Sequence, residues 1–357
     1  MLSDLEKRVA LAVKGQTILV TGAAGTIGSA LTERLLQFDP KVVRLLDQDE
    51  ERTFFLDLDW SKDQRVRTLL GDVRDRERMN RALHGVDIVI HTAALKHVGL
   101  GEYNPFEVVR TNLVALQGLI EASINANVGK FIFTSSDKAV NPTNVMGGSK
   151  FIGERLVTAG NVYRGGTRTI FASTRFGNVL GSAGSVIPVF QNQIRQGGPI
   201  TVTDMNMTRF FMSLSEAVDL VLSAMVASLG GEVFVPKMKA IRLKDLAEGM
   251  REIIAPNRKI AIKEIGLRPG EKMFEELISD HELPRCLETE HLLIVLPYLE
   301  CAMFSVPNHE GYTQLGPDDY PDKPRWAKNA YNSHHVDPIT KKAALDMLRS
   351  SVLTKGN

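Results

Sequence analysis

A glycine-rich segment, TGAAGTIG, lies between a short apolar run and a helical pattern near the start of the chain. It places Gly22, Gly25 and Gly28 at the point where a strand would turn into a helix. Glycines at this spacing permit a tight turn, close approach of the backbone to a pyrophosphate, and close packing of helix on strand. The N–H groups and the dipole of the helix N-terminus would then face the phosphates. The segment predicts a dinucleotide site that includes Ala24, Thr26 and Ile27.

Asp47 stands at the predicted end of the next strand, 19 residues after Gly28. A carboxylate there can accept a hydrogen bond from the 2′-hydroxyl of an adenosine ribose and would repel a 2′-phosphate. The sequence therefore predicts NAD rather than NADP as the cofactor. Arg44 and Arg52 lie nearby and keep NADP as the less favoured alternative. For Asp47 itself, the structural alternative is a helix cap.

Residues after the third and fourth predicted strands would reach the same dinucleotide. Asp72 and Val73 follow the third strand, where Asp72 would face the adenine. Ala93 and Ala94 follow the fourth strand within HTAAL, where small side chains would let a ribose lie close. These positions extend the predicted cofactor site along one edge of a sheet.

Asp137 and Lys138 come directly after the fifth predicted strand. The carboxyl ends of parallel strands form the edge at which ligands bind in open α/β sheets. An acid and a base at that edge are therefore candidates for proton transfer to a bound ligand. Composition alone favours the alternative, a surface ion pair.

Short β-rich runs alternate with helical patterns, and these elements must position the candidate residues. Strands are predicted at 17–21, 42–47, up to about 72, 87–93, 130–136 and 169–175, and helices at 27–38, 54–60, 74–83, 105–128 and 149–163. Such alternation implies right-handed crossovers and a doubly wound parallel sheet, the Rossmann arrangement of an α/β fold.

The alternation breaks after residue 177, where Gly, Pro and Thr become frequent. The predicted division is a helical segment over 1–14, a Rossmann domain over 15–177 that gains elements from about 210–235, and a smaller mixed α/β substrate-binding cap. The cap and the C-terminal tail are assigned to 178–209 and 236–357. Shorter helices are predicted at 186–196, 214–227 and 340–350, with short strands near 200 and 233.

Composition excludes several classes of protein. The 357 residues include 43 Lys and Arg against 42 Asp and Glu, so no basic field favours nucleic acid. Cys286 and Cys301 lack a CxxC spacing and indicate a reducing compartment. No apolar run approaches the roughly 18 to 20 residues of a membrane span. His97 and the pair His334–His335 lack partners at metal-ligand spacing, so no metal is predicted. We expect a cytoplasmic protein.

Six motifs follow one another along the chain: TGAAGTIG, HTAALKHV, SSDKAVNPTNVMGGSK, RFGNVLGSAGSVIP, MTRFFM and RPGEK. Together they resemble the extended short-chain dehydrogenase/reductase superfamily and, within it, the nucleotide-sugar 4,6-dehydratases of polysaccharide biosynthesis. The likeness covers roughly 15–278 and is greatest to the UDP-N-acetylglucosamine 4,6-dehydratases. It implies a nucleotide-diphosphate sugar as substrate, NAD as cofactor, and a homo-oligomer.

The resemblance also implies a reaction and roles for the acid–base pair. A hydride leaves sugar C4, water is eliminated across C5 and C6, and the hydride returns to C6, so the cofactor is regenerated. Asp137 would protonate the departing C6 oxygen, and Lys138 would remove the C5 proton. Because a free lysine has a pKa of about 10.4, burial or a nearby cation such as Lys96 must lower the pKa of Lys138.

Met146 departs from the superfamily pattern. The usual motif is Tyr-x-x-x-Lys, whereas this chain has Met146-Gly-Gly-Ser-Lys150. A thioether cannot accept the C4 hydroxyl proton, and loss of a general base is worth roughly 10²- to 10⁴-fold in rate. Some members of this dehydratase branch also carry methionine here, which favours an active enzyme. Asp137, or a water held by Thr134 and Ser136, would then take the proton, with Lys150 on the nicotinamide ribose.

The remaining site residues are also assigned by the resemblance. Asn178 and Arg209 would hold the phosphates and sugar, Arg268 would be a second diphosphate clamp, and Thr201 would line the base pocket. The other residues predicted to contact cofactor or substrate are Lys96, His97, Asn112, Val179, Ser185 and Glu271.

Two other functions fit the same sequence. A nucleotide-sugar 4-epimerase shares the oxidation at C4 but needs no C5 base or C6 acid, so the Asp137–Lys138 pair argues against it. A non-catalytic NAD-binding relic would have lost its chemistry through Met146, yet it would not need the set Asp137, Lys138 and Lys150. The nucleotide, the stereochemistry at C5 and the size of the oligomer stay open.

Overall fold

The β-branched and aromatic runs of the first half form the parallel core of a ten-stranded sheet. The computed structural model describes residues 3–182, 184–298, 315–334, 336 and 338–352. Six parallel strands lie in the order β3-β2-β1-β4-β5-β6. Their bounds are β1 (Thr17–Thr21), β2 (Val42–Asp47), β3 (Val66–Leu70), β4 (Ile88–His91), β5 (Lys130–Ser136) and β6 (Ile170–Phe176).

Helices cover both faces of this sheet because the strands are apolar on both sides. Leu31 and Leu35 of α2 pack on one face, and Leu116 and Leu119 of α7 pack on the other. A π-helical turn over Arg110–Val114 separates α6 from α7, so the single helix predicted at 105–128 is interrupted. The helices are α1 (Asp4–Val13), α2 (Thr26–Leu36), α3 (Glu50–Trp60), α4 (Arg76–Leu83), α5 (Val98–Tyr103), α6 (Pro105–Val109), α7 (Ala115–Asn125) and α8 (Val145–Tyr163).

The rest of the chain divides between the main sheet and a cap. The strands are β7 (Asn178–Val179), β8 (Ile200–Val202), β9 (Thr208–Met212), β10 (Val233–Pro236), β11 (Lys239–Arg242), β12 (Ile262–Glu264), β13 (Glu276–Ile278), β14 (Cys286–Glu288), β15 (Leu292–Val295), β16 (Arg325–Trp326) and β17 (Tyr331–Asn332). The helices are α9 (Val186–Arg195), α10 (Leu214–Ala227), α11 (Leu243–Ile254) and α12 (Lys341–Val352). The doubly wound parallel fold with a smaller mixed part is confirmed.

The predicted boundary of the cap needs a correction. β10 pairs with β6 in parallel, as expected for the region around 210–235. However, β15, β14 and β16 continue the same sheet in antiparallel fashion, whereas the sequence predicts only the cap and the C-terminal tail over 236–357. The physical reason is the apolar run Leu292–Val295, which is largely buried where it pairs with β10. The remaining division into domains stays a prediction.

The cap has its own apolar core and three small sheets. Ile187, Phe190 and Ile194 of α9 pack against Leu246 and Met250 of α11. The strands pair as β11-β9-β7, β12-β8 and β13-β17. Contacts between β13 and the turn after β5 bring this part of the chain to the carboxyl edge of the main sheet.

Over the described ranges, no helix is both long enough and apolar enough to cross a membrane. The predicted cytoplasmic location stays a prediction.

Candidate active site

Two glycines of the turn between β1 and α2, Gly22 and Gly28, have no room for a side chain. Gly22 has φ +69°, and a Cβ there would lie 2.7 Å from the Ala93 nitrogen at the end of β4. A Cβ on Gly28 would lie 2.3 Å from the Gly22 carbonyl oxygen. The Gly25 N–H donates to that same oxygen at 3.0 Å, which closes the turn. Close backbone approach therefore explains why glycine occupies these positions.

Asp47 joins this turn to the end of β2. Its Oδ2 accepts from the Ala24 N–H at 3.0 Å and its Oδ1 from the Asp49 N–H at 3.1 Å. The cap of α3 is Asp49, which accepts from the Arg52 N–H, so Asp47 is not the helix cap. Arg44 donates to main-chain carbonyls of 82 and 84 and does not line the cavity, whereas Arg52 does.

A cavity of about 600 Å³ runs along the carboxyl edge of β1, β4 and β5. Its lining brings together predicted residues that lie between Gly22 and Ser185 in the sequence. Those that line it are Gly22, Gly25, Thr26, Ile27, Asp47, Val73, Ala93, Ala94, Lys96, His97, Ser136, Lys138, Met146, Lys150, Asn178, Val179 and Ser185.

Four predicted cofactor residues lie outside the lining of this cavity for identifiable reasons. The Asp72 carboxylate pairs with Arg74 at 2.6 Å. The Asn112 amide accepts from the Leu95 N–H at 2.8 Å and donates to the Leu95 carbonyl at 2.9 Å. Asn112 therefore fixes a backbone segment that lines the cavity. Ala24 and Gly28 also lie behind the lining surface, within the turn.

Four predicted substrate residues also lie outside the cavity lining. Arg209 is buried and donates to the main-chain carbonyls of Thr208 and Lys272. Thr201 exchanges hydrogen bonds with the Gln193 amide. Arg268 is exposed, and its N–H lies 3.5 Å from the carboxylate of Glu271. Their assignments to substrate stay predictions.

The turn after β5 forms a short 3-10 helix over Asp137–Ala139. The Ser136 hydroxyl donates to Asp137 Oδ1 at 2.9 Å, and Lys138 Nζ donates to the same oxygen at 3.0 Å. The Asp137 side chain has no exposed surface, whereas that of Lys138 is 21% exposed and lines the cavity. In this structure Asp137 lies behind Ser136 and Lys138 and does not line the cavity, and its role as the C6 acid stays a prediction.

Lys138 faces two carboxylates. Glu275 Oε1 lies 3.5 Å from Lys138 Nζ, and the Arg209 guanidinium lies 3.8 Å from that same oxygen. Burial acts to lower the pKa of Lys138, but Asp137 and Glu275 outweigh it and the pKa is raised above its usual value. The expectation of a lowered pKa is therefore wrong for this state. The physical reason is the pair of anions, which stabilises the ammonium.

Glu275 was missed by the sequence reasoning. It precedes β13 in the run EELI, and its side chain is only 4% exposed. Burial raises the pKa of Glu275, opposed chiefly by the charge of Lys138. Within the described residues, Glu275 Oε2 and Asp137 Oδ2 are buried and have no hydrogen-bond partner. A glutamate beginning an apolar strand just after RPGEK was the available signal.

The start of α8 holds Met146 and Lys150 against the same turn. Asn144 caps the helix by accepting from the Gly147 N–H at 2.8 Å, and a Cβ on Gly147 would lie 2.4 Å from the Lys138 carbonyl oxygen. Met146 is buried and lines the cavity. Lys150 Nζ donates to the Thr134 carbonyl at 2.7 Å, and burial lowers the pKa of Lys150 to about 8.

A buried ion-pair network fixes α8 one turn further along. Arg175 of β6 lies 2.7 Å from Glu154 of α8 and 2.6 Å from Glu282. Burial would raise the pKa of Glu282, but the Arg175 guanidinium lowers it to about 2. Fully paired charges of this kind hold a geometry because breaking one partner leaves the other unsatisfied. The network therefore ties the helix of Met146 and Lys150 to the sheet and the cap.

Across the described residues, no three His, Cys, Asp or Glu side chains come together as a metal site. Cys301 and His335 lie outside the described residues.

Comparison with known proteins identifies the family to which this chain belongs. A family profile described as polysaccharide biosynthesis protein matches residues 18–297. The chain belongs to this family. It is a member of the extended short-chain dehydrogenases/reductases, as the six motifs predicted.

Three relatives show what the chain is similar to. A Methanocaldococcus jannaschii protein described as an uncharacterized membrane protein is 49% identical over 80% of this chain and 87% of its own length. A Campylobacter jejuni UDP-N-acetylglucosamine 4,6-dehydratase (inverting) is 39% identical over 80% of this chain and 84% of its own. A Rickettsia massiliae UDP-glucose 4-epimerase is 39% identical over 76% and 80%.

Solved structures share the fold. Pen from Bacillus thuringiensis has a TM-score of 0.85 at 39% identity, covering 94% of this chain and 98% of that chain. DesIV, a dTDP-glucose 4,6-dehydratase from Streptomyces venezuelae solved with NAD bound, has a TM-score of 0.64 at 22% identity, over 72% and 86%. The likeness to DesIV concerns the fold alone.

Proposed function

We propose that this chain is a nucleotide-sugar 4,6-dehydratase that acts on UDP-N-acetylglucosamine or a related nucleotide-diphosphate hexose. The observation that carries the proposal is the group Ser136, Asp137 and Lys138. It offers a hydroxyl and an amine to the cavity, with a buried carboxylate joining them from behind. An acid–base pair of this kind meets the need of an elimination, which a simple dehydrogenase does not have.

The glycine turn supports a dinucleotide as the resident cofactor. Glycine at 22 and 28 lets β1, α2 and the end of β4 pack backbone against backbone. This close packing builds the strand–turn–helix unit that binds a pyrophosphate in dinucleotide-binding folds. When bound, NAD would accept the hydride from sugar C4 and return it to C6. Asp47 would hold the adenosine ribose and Lys150 the nicotinamide ribose. Arg52, which lines the cavity, keeps NADP as the alternative.

Ser136 would replace the missing phenol. The C4 hydroxyl would pass its proton to Ser136 Oγ while the Ser136 proton moves to Asp137 Oδ1, which it already contacts at 2.9 Å. The protonated Asp137 would return the proton by the same route to the C6 oxygen as it leaves as water. Met146 takes no part in proton transfer, since a thioether is not a base.

Lys138 would remove the C5 proton. Oxidation at C4 places a carbonyl beside C5, so the electron pair of the C5–H bond can delocalise onto the C4 oxygen. The amine of Lys138 would take that proton and later return it to C5 after hydride addition at C6. Met146 and Lys138 share the cavity wall that a sugar would face.

The comparisons favour two reactions. The Campylobacter jejuni relative carries the name of a 4,6-dehydratase, and the Rickettsia massiliae relative, at the same identity, that of a 4-epimerase. An epimerase needs the C4 oxidation but neither a C5 base nor a C6 acid. The Lys138–Asp137 pair therefore supports the dehydratase, and the epimerase is the second candidate.

The test is product analysis after incubation with UDP- and GDP-N-acetylglucosamine. The expected product is lighter by one water, with a 4-keto group and a 6-methyl signal by NMR. A product of unchanged mass with inverted C4 would establish the epimerase. Unaltered substrate with bound cofactor would contradict both. The mass also identifies the preferred nucleotide, and the predicted homo-oligomer is tested separately by light scattering.

A further inference from the structure

We propose that Glu275 is the positioning residue that accepts the ammonium proton of Lys138 and so frees the amine for the C5 proton. The inference rests on the proposed dehydratase function. It addresses a problem that the site itself raises: Lys138 is held as an ammonium between two carboxylates, and an ammonium is not a base.

Glu275 has the geometry for this transfer. Its Oε1 lies 3.5 Å from Lys138 Nζ, and its Oε2 is buried without a hydrogen-bond partner among the described residues. Ser333 fixes the backbone, since the Glu275 N–H donates to Ser333 Oγ at 2.9 Å and the Ser333 N–H donates to the Glu275 carbonyl at 2.8 Å. The main chain that carries Glu275 is therefore held in place by contacts that leave both carboxylate oxygens to face Lys138 and its neighbours.

The charges that face Glu275 come from three segments. Asp137 and Lys138 belong to the turn after β5, Arg209 to β9, and Lys272 to the loop before β13. Lys272 is also occupied elsewhere, because its Nζ donates to the Val140 carbonyl at 2.8 Å. Burial and the neighbouring Asp137 favour a neutral Glu275, and its raised pKa reflects both.

Asp137 cannot serve as this acceptor during the reaction. Its Oδ1 already accepts hydrogen bonds from Ser136 and Lys138, and the proposed relay loads Asp137 with the C4 hydroxyl proton. Glu275 is the other carboxylate in contact with Lys138. Asp137 would thus accept the C4 hydroxyl proton, and Glu275 would accept the ammonium proton of Lys138.

The step conserves atoms and charge. One N–H bond of Lys138 breaks, its electron pair stays on nitrogen, and an O–H bond forms on Glu275. An ammonium–carboxylate pair thereby becomes a neutral amine and a neutral acid. The amine then takes the C5 proton, returns it to C5 after hydride addition, and recovers its own proton from Glu275 when product leaves. No proton is exchanged with solvent, so the elimination step should not depend on pH.

The experiment compares Glu275→Gln with a neighbouring control, Glu276→Gln. Glu276 accepts from the Asn141 amide and does not contact Lys138. The single-turnover rate of water elimination is measured in the complete chain with bound cofactor between about pH 6 and 9. The native protein and Glu276→Gln should give flat profiles. Glu275→Gln must lose the Lys138 proton to solvent, so its rate should fall about tenfold per pH unit on the acidic side.

A spectroscopic readout separates this role from packing. In Glu275→Gln at pH 7, C4 oxidation should proceed while elimination lags, so reduced-nicotinamide absorbance should accumulate and then diminish toward pH 9. Glu275→Asp retains a carboxylate and should restore a flat profile at a lower rate. A structural role alone would change thermal stability without changing the slope of the pH profile.

Three results would overturn the inference. They are a flat profile in Glu275→Gln, a tenfold slope in the native protein, and a Glu275→Asp profile that matches Glu275→Gln. The native profile decides even if the glutamine variant does not fold. If the native protein forms no 4-keto product at all, the proposed function fails instead, and product mass distinguishes that case.

Discussion

The two walls of the cavity are built on different physical principles. The backbone wall is the predicted cofactor side, where Gly22 at the surface and Gly28 behind it leave no room for a Cβ and the Ala24 N–H donates to the Asp47 carboxylate. The charged wall is formed by Ser136, Lys138 and the carboxylates behind them. Its buried charged side chains belong to three segments of the chain. One wall should therefore be sensitive to added volume, and the other to lost charge.

This difference separates binding from chemistry. Shape complementarity at a phosphate needs only fixed N–H groups and space, which a short turn provides. Proton transfer needs groups whose protonation states are coupled, and in a buried cluster each charge sets the pKa of the next. Variants on the two walls should accordingly fail in different assays.

The largest effect is expected on the charged wall, from Lys138→Met. Loss of a general base lowers rates by roughly 10²- to 10⁴-fold, so dehydration should fall by that factor. Hydride transfer from C4 should persist, because it uses the Ser136–Asp137 relay. Adding substrate should therefore build up reduced-nicotinamide absorbance, measured by stopped flow.

The control for Lys138→Met is Asp137→Asn, which removes the proposed acceptor of the C4 proton. Its cofactor should stay oxidised when substrate is added. Elimination at a near-native rate in Lys138→Met would refute the base assignment. Failure of both variants to reduce the cofactor would show that Lys138 acts on the C4 oxygen instead.

The next largest effect is expected on the backbone wall, from Gly22→Ala. The new methyl group would lie 2.7 Å from the Ala93 nitrogen, so β4 and the glycine turn must separate. Cofactor affinity, measured by isothermal titration, should fall at least about tenfold, equivalent to roughly 1.4 kcal/mol. Dehydration at saturating cofactor should be affected less than in Lys138→Met.

Gly15→Ala is the matched control for Gly22→Ala. Gly15 has φ +71°, close to that of Gly22, but nothing lies within 4 Å of its added Cβ. Both variants carry the strain of a left-handed alanine, about 1 kcal/mol, and should lower the midpoint of thermal unfolding. Only Gly22→Ala should weaken cofactor binding. Equal loss in both would mean that strain, and not close approach, limits the site.

A smaller effect, on cofactor affinity, is expected when a change in pH alters the charge of Lys150. Burial lowers the pKa of Lys150 to about 8, so the ammonium is lost as pH rises through that value. If the ammonium holds the nicotinamide ribose, cofactor affinity should be constant below about pH 7 and fall several-fold by pH 9. Lys150→Arg, which keeps its charge, should show no such fall. A native affinity that rises over this range would contradict the role.

The sequence predicts the backbone wall far better than the charged wall. Gly22, Gly25 and Asp47 belong to one strand–turn–helix–strand unit, so their spacing alone implies their neighbours. Lys138 and Glu275 are brought together only by the packing of β13 against the turn after β5. No local pattern reports such a contact, and the pKa of Lys138 therefore could not be predicted.

Tertiary contacts also determine the surroundings of the predicted substrate residues. The motif predicts that Arg209 binds the substrate, whereas in the structure its guanidinium donates to the main-chain carbonyls of Thr208 and Lys272. The motif indicates an arginine at that point of the chain, whereas its rotamer depends on the loop before β13. Local sequence therefore specifies the elements and the turn, and tertiary contacts decide which charges meet.

The smallest effect on dehydration is expected from substitution of Met146, which lies at the start of α8. The Met146 side chain is buried, lines the cavity and offers no proton acceptor, so its contribution is its volume. Leucine for methionine conserves volume and usually costs less than about 1.5 kcal/mol. Met146→Leu should therefore retain a dehydration rate within about tenfold of native, whereas Ser136→Ala should lower that rate at least about 10²-fold by breaking the relay.

Met146→Tyr need not improve the enzyme, because a phenol must displace the group now facing the sugar. The measurement is steady-state turnover alongside cofactor titration and thermal unfolding. Complete loss of turnover in Met146→Leu, with folding and cofactor binding intact, would show that the thioether itself acts on the sugar.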